Sequence, residues 1–317
     1  MTLTIRPTAI AQGAFLSCAL AACAHAKPPP TIGVSIQNLH SEFYSALYKS
    51  IQSRAKAYGY APDIRDADTE AEQQSQVEGF IAHNVGAIVI VPVDSKMVGS
   101  AVLEANAADI PVFTTDINST SIDSNVKAYV ASNNRQGGAK AALLMCEGVP
   151  SHGLVAIIDQ PEVSSVHDRV AAFQSALKHT WQCTKKGVRV VEDVDVGVRH
   201  KDAQGATAEI MQAHKDLAGI FFVNDESLLA AFPKLDSRKA CVTPILVGYD
   251  AILKIQDEID RGIVYGDAQQ HPDQLGSTTI DEVHDYFNGK RLKNPFVKIA
   301  VDTYAPHRCA NGITRAS

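Results

Sequence analysis

Five apolar runs in this chain each end in an aspartate: residues 87–94 (AIVIVPVD), 111–116 (PVFTTD), 154–159 (LVAIID), 219–225 (GIFFVND) and 244–250 (PILVGYD). Short continuous runs rich in Val, Ile and Phe fit strands buried on both faces of a parallel sheet. Such sheets bind ligands at the carboxyl ends of their strands. One acid there would say little, because Asp is also a favoured helix N-cap and a helix-like stretch follows each run. Capping is the reading for Asp94 and Asp159. The set as a whole, and Asp116 and Asp250 in particular, points to a hydroxyl-rich ligand held by acceptors. Asp225 reads as a cap or a hinge-facing acid.

At 317 residues the chain is long enough for two domains, and its formal charge of −6 is nearly balanced. No run of Lys or Arg exceeds two residues, which argues against nucleic acid as a partner. The N-terminus differs from the rest. Arg6 is the only charge ahead of an apolar, small-residue stretch over 9–22. That stretch is too short to span a bilayer and fits a secretory leader over residues 1–26. Two cleavage signals overlap at its end. Ala24-His25-Ala26 is an A-x-A site, whereas Leu20-Ala21-Ala22-Cys23 resembles a bacterial lipobox, with Cys23 acylated as the mature N-terminus. Residues 27–30 (KPPP) then form a short stiff linker.

Beyond Cys18 and Cys23, four cysteines remain: Cys146, Cys183, Cys241 and Cys309. An even number in an exported chain, with no CxxC or zinc spacing, predicts structural disulfides and no metal. Four thiols allow three pairings. Cys146 and Cys183 each end a helix that feeds a neighbouring strand, so Cys146–Cys183 and Cys241–Cys309 are the expected bonds.

From Thr31 onward strand and helix patterns alternate. A strand over 31–36 precedes a helix carrying Phe43, Leu47, Ile51, Ala55 and Tyr58 at helical spacing, ended by Gly59. Strands at 61–65, 87–94 and 110–116 flank a helix carrying Val77, Phe80 and Ile81 and another carrying Met97, Val98, Ala101, Val102 and Ala105. The pattern restarts after Ser132. Helices over 138–147 and around Val166, Val170, Phe173 and Leu177 alternate with strands at 154–160, 188–196, 219–225, 243–250 and 263–270. A helix over 273–287 and a strand near 297–301 complete it. Strict alternation, twice over, argues an α/β fold with two doubly wound parallel sheets.

Six segments carry a family resemblance: 31–44 (TIGVSIQNLHSEFY), 110–116 (IPVFTTD), 169–173 (RVAAF), 224–226 (NDE), 247–250 (VGYD) and 270–276 (QHPDQLG). In this order and spacing the chain resembles the type I periplasmic sugar-binding proteins, the ribose-binding group, over roughly 31–301. The resemblance implies two doubly wound parallel-sheet lobes joined by a three-crossing hinge. The first lobe takes 31–131 with 271–298, the second 132–270 with 299–317. The crossings fall near 130–132, 270–271 and 298–301, and the ligand is trapped as the lobes close.

By position the resemblance assigns Phe43 and Tyr44 to the apolar face of a sugar ring. Asp116 accepts from adjacent hydroxyls, and the Arg169 fork donates to two sugar oxygens. Asn224 both donates and accepts. Tyr249, Asp250 and Gln270 match further family positions. Phe43 reads equally well as core at a helix start. The chain also departs from the pattern: Ile117 follows Asp116 where many relatives place Arg, Ser41 stands for an asparagine, Gln37 for a small residue, and Val198 or a neighbour for an aromatic. The pocket should therefore differ from a ribose pocket. His167 and Asp168 read as a helix-start feature rather than an acid–base pair.

No GxSxG, HExxH, P-loop or GxGxxG occurs in the sequence, and no nucleophile or cofactor signature supports an enzyme. The implied function is an exported, monomeric, cofactor-free binding protein of the periplasm, lipid-anchored if Cys23 is acylated. It would deliver a small sugar or polyol to an inner-membrane ABC importer. The alternative is a sensor whose closed form is read by a chemoreceptor or sensor-kinase ectodomain. A repressor of this architecture would carry an N-terminal helix-turn-helix, where this chain has its leader.

Overall fold

The apolar run at 87–94 forms a strand over its first four residues, Ala87, Ile88, Val89 and Ile90, which are fully buried, and leaves the sheet before Asp94. The other runs also form strands, and together they organise two sheets. The structure, a computed structural model, describes residue 1 and residues 30–197, 202–235, 241–292, 295–306, 309, 314 and 315. The leader, Cys23 and Val198 lie outside the described residues.

Along the chain come β1 (Thr31–Gln37), α1 (Glu42–Ala57), β2 (Ala61–Ala67), α2 (Glu70–Ala82), β3 (Ala87–Ile90), α3 (Gly99–Ala107), β4 (Val112–Thr115) and β5 (Val126–Ser132). Next are α4 (Asn134–Gly148), β6 (Leu154–Asp159), α5 (Ser164–His179), α6 (Trp181–Lys186), β7 (Arg189–Asp195), α7 (Ala203–Ala213) and β8 (Leu217–Phe222). They lead to α8 (Asp225–Leu235), β9 (Val242–Thr243), β10 (Ile245–Asp250), α9 (Leu253–Asp260) and β11 (Gly266–Gln269). The chain ends with α10 (Pro272–Phe287), β12 (Phe296–Ile299), β13 (Asp302–Tyr304) and β14 (Thr314–Arg315).

One sheet runs β12-β5-β4-β3-β1-β2 and is parallel throughout. The other runs β13-β11-β10-β8-β6-β7 and is parallel except for the edge strand β13. Strand order reverses beside β1 in the first sheet and beside β6 in the second. Open α/β sheets form ligand crevices at such reversals. The chain passes between the sheets three times: after β5, after β11 and after β12.

Several local signals act as the sequence suggests. α1 buries Phe43, Leu47, Ile51 and Ala55, one residue per turn, and Gly59 follows it at φ 76°. Thr69 and Glu72 close a capping box at the start of α2. α10 returns to the first lobe. Gly276 lets it lie against the backbone of α1, where a Cβ would meet the Leu47 carbonyl oxygen at 2.8 Å. Arg54 of α1 pairs with Asp281 of α10 at 2.6 Å.

Other elements differ from the sequence reading. α4 begins one turn before Gly138, because the Asn133 side chain caps it by accepting from the Gln136 N–H. Gly138 sits inside the helix for a packing reason: a Cβ there would stand 2.1 Å from the Arg169 carbonyl oxygen. Met97 is in the turn ahead of α3 and 59% exposed rather than on its buried face. β5, with its mixed, partly buried pattern, and the helices α6 and α7 were not legible from periodicity. The disulfides join Cys146 to Cys183 and Cys241 to Cys309, with Cα atoms 5.2 and 5.6 Å apart.

Candidate functional site

A cleft of about 410 Å3 opens between the two sheets at their strand ends. The first lobe supplies Gln37 at the end of β1, Asn38, Ser41, Phe43 and Tyr44 at the start of α1, and Asp116 and Ile117 after β4. The second supplies Gln160 after β6, Arg169 from α5, Asn224 and Glu226 after β8, and Asp250 at the end of β10. Gln270 enters from the second crossing.

Asp116 and Asp250 each adopt positive φ, 62° and 130°. Non-glycine residues rarely hold such angles, and surrounding structure must fix them. For Asp116 the Val130 carbonyl accepts from its N–H at 2.9 Å and the Tyr129 hydroxyl donates to its carbonyl at 3.0 Å. For Asp250 the Gln270 N–H donates to its carbonyl at 3.1 Å. The strained turn aims each carboxylate into the cleft instead of along the strand.

Burial dominates the electrostatics. It raises the Asp116 pKa and pushes that of Asp250 up to about 7, with Arg169 opposing both shifts. Burial likewise works against the Arg169 charge, but Tyr249, Asp250 and Asp116 more than offset it and hold the proton on. The guanidinium is locked in place. Its Nε donates to Asn134 Oδ1 at 2.8 Å, its Nη1 donates to the Val223 carbonyl at 2.9 Å, and its carbon lies 3.9 Å from the Tyr249 ring centroid. Asp250 Oδ1 is 4.0 Å from Nη1.

Tyr44 links the first lobe's polar groups. Gln37 Nε2 donates to its hydroxyl at 2.7 Å, and that hydroxyl donates to Asp116 Oδ2 at 3.1 Å. Burial, then the nearby Asp116 carboxylate, raises the Tyr44 pKa well above the usual phenol range. Phe43 packs edge-on against Tyr44 and is 5% exposed, so it is both core and cleft wall.

Of the residues singled out from sequence, Gln37, Ser41, Phe43, Tyr44, Asp116, Arg169, Asn224, Asp250 and Gln270 line the cleft together. Tyr249 does not. It is fully buried behind the wall, where its ring backs Arg169 and its hydroxyl donates to Asn134 Oδ1 at 3.1 Å. Strand alternation explains this, because neighbours in β10 point to opposite faces. Asp168 turns to Arg135 at 2.7 Å. Asp94 does cap a turn, accepting from the Lys96 and Met97 N–H groups. Asp159 caps no helix: it accepts from the Gln160 N–H and faces Asp193 of β7, and burial followed by that neighbour raises its pKa to about 7.

Asp225 has a different role from either reading. Its Oδ2 accepts from the Ile252 N–H at 2.9 Å, holding the chain ahead of α9. Its Oδ1 turns toward Oδ2 of Asp267, with both side chains fully buried and only Gly248 between them and β10. A Cβ at Gly248 would stand 2.2 Å from Asp267 Oδ2 and 2.7 Å from Asp225 Oδ1. Burial raises both acids, the Asp267 and Asp250 charges raise Asp225 further and the Asp250 charge raises Asp267, and the hydrogen bond between Asp225 and Asp267 requires a proton shared by the pair. The Asp225 N–H then donates to Asp250 Oδ2 at 3.3 Å, which connects the pair to the cleft. Asp267 gave no sequence signal, since it stands inside β11 instead of after it.

Contacts also cross the cleft mouth. Glu42 Oε1 accepts from the Leu253 N–H at 2.9 Å, and Ser95 Oγ accepts from the Ser164 N–H at 3.1 Å. The lobes are therefore closed on one another.

A family model described as "periplasmic binding protein domain" matches residues 32–291. The chain is 28% identical to the ribose import binding protein RbsB of Bacillus subtilis over 83% of each chain. With RbsB of Escherichia coli it shares 28% identity over 85% of this chain and 89% of the other. Among solved structures, a periplasmic solute-binding protein from Actinobacillus succinogenes with bound D-allose superposes at a TM-score of 0.77, with 21% identity, over 89% of this chain and 99% of that one.

Proposed function

This chain belongs to the periplasmic binding protein family and has its type I fold, and from that premise we propose that it captures a small sugar or polyol and delivers it to an ABC importer. The observation that carries this is the cleft itself, walled by fixed acceptors from one lobe and a locked arginine from the other. Phe43 and Tyr44 would cover the apolar face of a ring, and Asp116, Arg169, Asn224, Asp250 and Gln270 would hold its hydroxyls. Relatives that import ribose support the transport role. In this reading the protein is an exported monomer of the periplasm, anchored by lipid at Cys23, and does no chemistry on its ligand.

The lobes turn about the three crossings. Only when closed do Tyr44 and Asp116 meet a ligand together with Arg169 and Asp250, so the ligand binds the closed state better and shifts the population toward it. The importer would read that closed form. A thermal-shift screen of pentoses, hexoses and polyols on the mature protein tests the reading. A ligand at a hundred times its Kd should stabilise by about 2.7 kcal/mol. Small-angle scattering should then show compaction on saturation, and deleting the gene should abolish cellular uptake of the same compound. A screen without any stabilising compound refutes the proposal.

A further inference from the structure

Gln37, Tyr44, Asn224, Gln270 and Arg169, polar side chains of the cleft that could offer the ligand a donor, have each already spent at least one on the wall itself. Gln37 Nε2 goes to the Tyr44 hydroxyl and that hydroxyl to Asp116. Asn224 Nδ2 donates to Gln160 Oε1 at 2.6 Å, and Gln270 Nε2 donates to Asp250 Oδ1 at 2.6 Å. Arg169 has committed Nε and Nη1.

Three buried polar atoms of the wall remain unpartnered. Asp116 Oδ1, Gln270 Oε1 and Ser41 Oγ have no hydrogen-bond partner, and their residues are only 3–4% exposed. A buried polar atom without a partner is costly, more so when charged, so Asp116 Oδ1 and Gln270 Oε1, which can only accept, call for donors, whereas the Ser41 hydroxyl can donate or accept. Charge points the same way. Among the described residues, Asp68, Asp116, Glu226 and Asp250 line the cleft with Arg169 as the single cation. Asp116 and Asp250 come from opposite lobes, and the Asp116 carboxylate raises the cost of ionising Asp250 across the gap.

A neutral polyol offers one donor per hydroxyl and leaves that excess charge in place. An ammonium group offers three donors and offsets it. On the reading that the cleft binds a small polyhydroxy ligand, we propose that it selects one bearing an ammonium group, an amino sugar or aminocyclitol, over the neutral hydroxyl counterpart, with Asp116 receiving the cation. Tyr44, itself held by Gln37, donates to Asp116 Oδ2, which leaves Oδ1 as the carboxylate oxygen free to receive the ligand.

The test is calorimetry of the full mature protein with matched pairs: D-glucosamine against D-glucose, D-galactosamine against D-galactose, and 1-amino-1-deoxy-scyllo-inositol against scyllo-inositol. N-acetyl-D-glucosamine serves as a control that keeps the nitrogen and loses the charge. The expected result is an amine member that binds about tenfold or more tighter than its neutral partner, since charge-assisted bonds are roughly twice as strong as neutral ones. Asp116→Asn should shrink that ratio, and raised salt should weaken the amine alone. Neutral members binding as well as or better than amines would overturn the selectivity while leaving the polyol reading intact. Binding by no member of any pair, nor by any compound of the wider screen, would overturn both.

Discussion

Replacing Asp225 by asparagine should flatten the pH dependence of stability. The Asp225–Asp267 pair is fully buried and holds a shared proton, with both acids raised chiefly by burial and then by neighbouring carboxylates, Asp267 and Asp250 at Asp225 and Asp250 at Asp267. In the unfolded chain each aspartate titrates near ~3.9. Between that value and the raised folded values, the folded state binds about one proton more than the unfolded state. Stability is therefore fully present below the unfolded pKa and is lost as pH rises, by about 1.4 kcal/mol per pH unit. Asparagine keeps the shape. Its carbonyl can still accept from the Ile252 N–H, and its amide can donate to Asp267 Oδ2, where the proton now sits. Asp267 then remains ionised, already served by the Ala251 N–H at 3.0 Å. Urea unfolding of ligand-free protein at pH 5.0, 5.5 and 6.0 measures the slope, with circular dichroism to establish that both proteins fold. Asp250, raised to about 7, contributes to both proteins and drops out of the comparison. The variant should lose stability more slowly over this range by about 1.4 kcal/mol per pH unit. Parallel lines for the two proteins would refute the shared proton.

Arg169→Met should abolish ligand binding and destabilise the second lobe by about 3 kcal/mol or more, because it leaves buried Asp250 without its cation; near-normal affinity by calorimetry would exclude Arg169 from the site. Glu42→Gln should weaken ligand affinity less than about threefold and remove part of its salt dependence, since the bond to the Leu253 N–H is exposed and such charge–helix contacts are worth about 0.3–1 kcal/mol; a tenfold loss would mean that Glu42 meets the ligand. The double variant Cys146→Ser, Cys183→Ser should lose roughly 4 kcal/mol in the chain-entropy model for a separation of 37 residues, read by urea unfolding; an unchanged midpoint would show that this link constrains nothing in the unfolded chain.

Asp116 and Asp250 were legible because each ends an apolar run, where chain direction and side-chain aim are set locally. Phe43, Tyr44 and Arg169, the last inside α5, were legible only through the family resemblance. Tyr249 was misplaced for a reason the run itself contains: period-2 alternation turns it away from Asp250. The proton-sharing Asp267 was illegible, because an acid inside a buried strand is tolerated here through partners distant in sequence, the Asp225 carboxyl at the start of α8 and the Ala251 N–H. Gly138 misled the helix start, since its role depends on the closeness of α5, a tertiary fact. Similarly, β5 lacks a continuous apolar run: beside the edge strand β12 three of its seven residues are only partly buried.

The first and third crossings are laced together: the Asn133 N–H donates to the Ile299 carbonyl at 2.7 Å, and the Val301 N–H donates to Gln136 Oε1 at 3.0 Å. They behave as one torsion bar. The second crossing is bonded to Asp250 at both its backbone and its side chain. Twisting the bar thus drags on the very carboxylate that faces the ligand. Stiffness and affinity are set by a common linkage here, so substitutions that soften the joint will also detune the grip, and neither property is free to drift without the other.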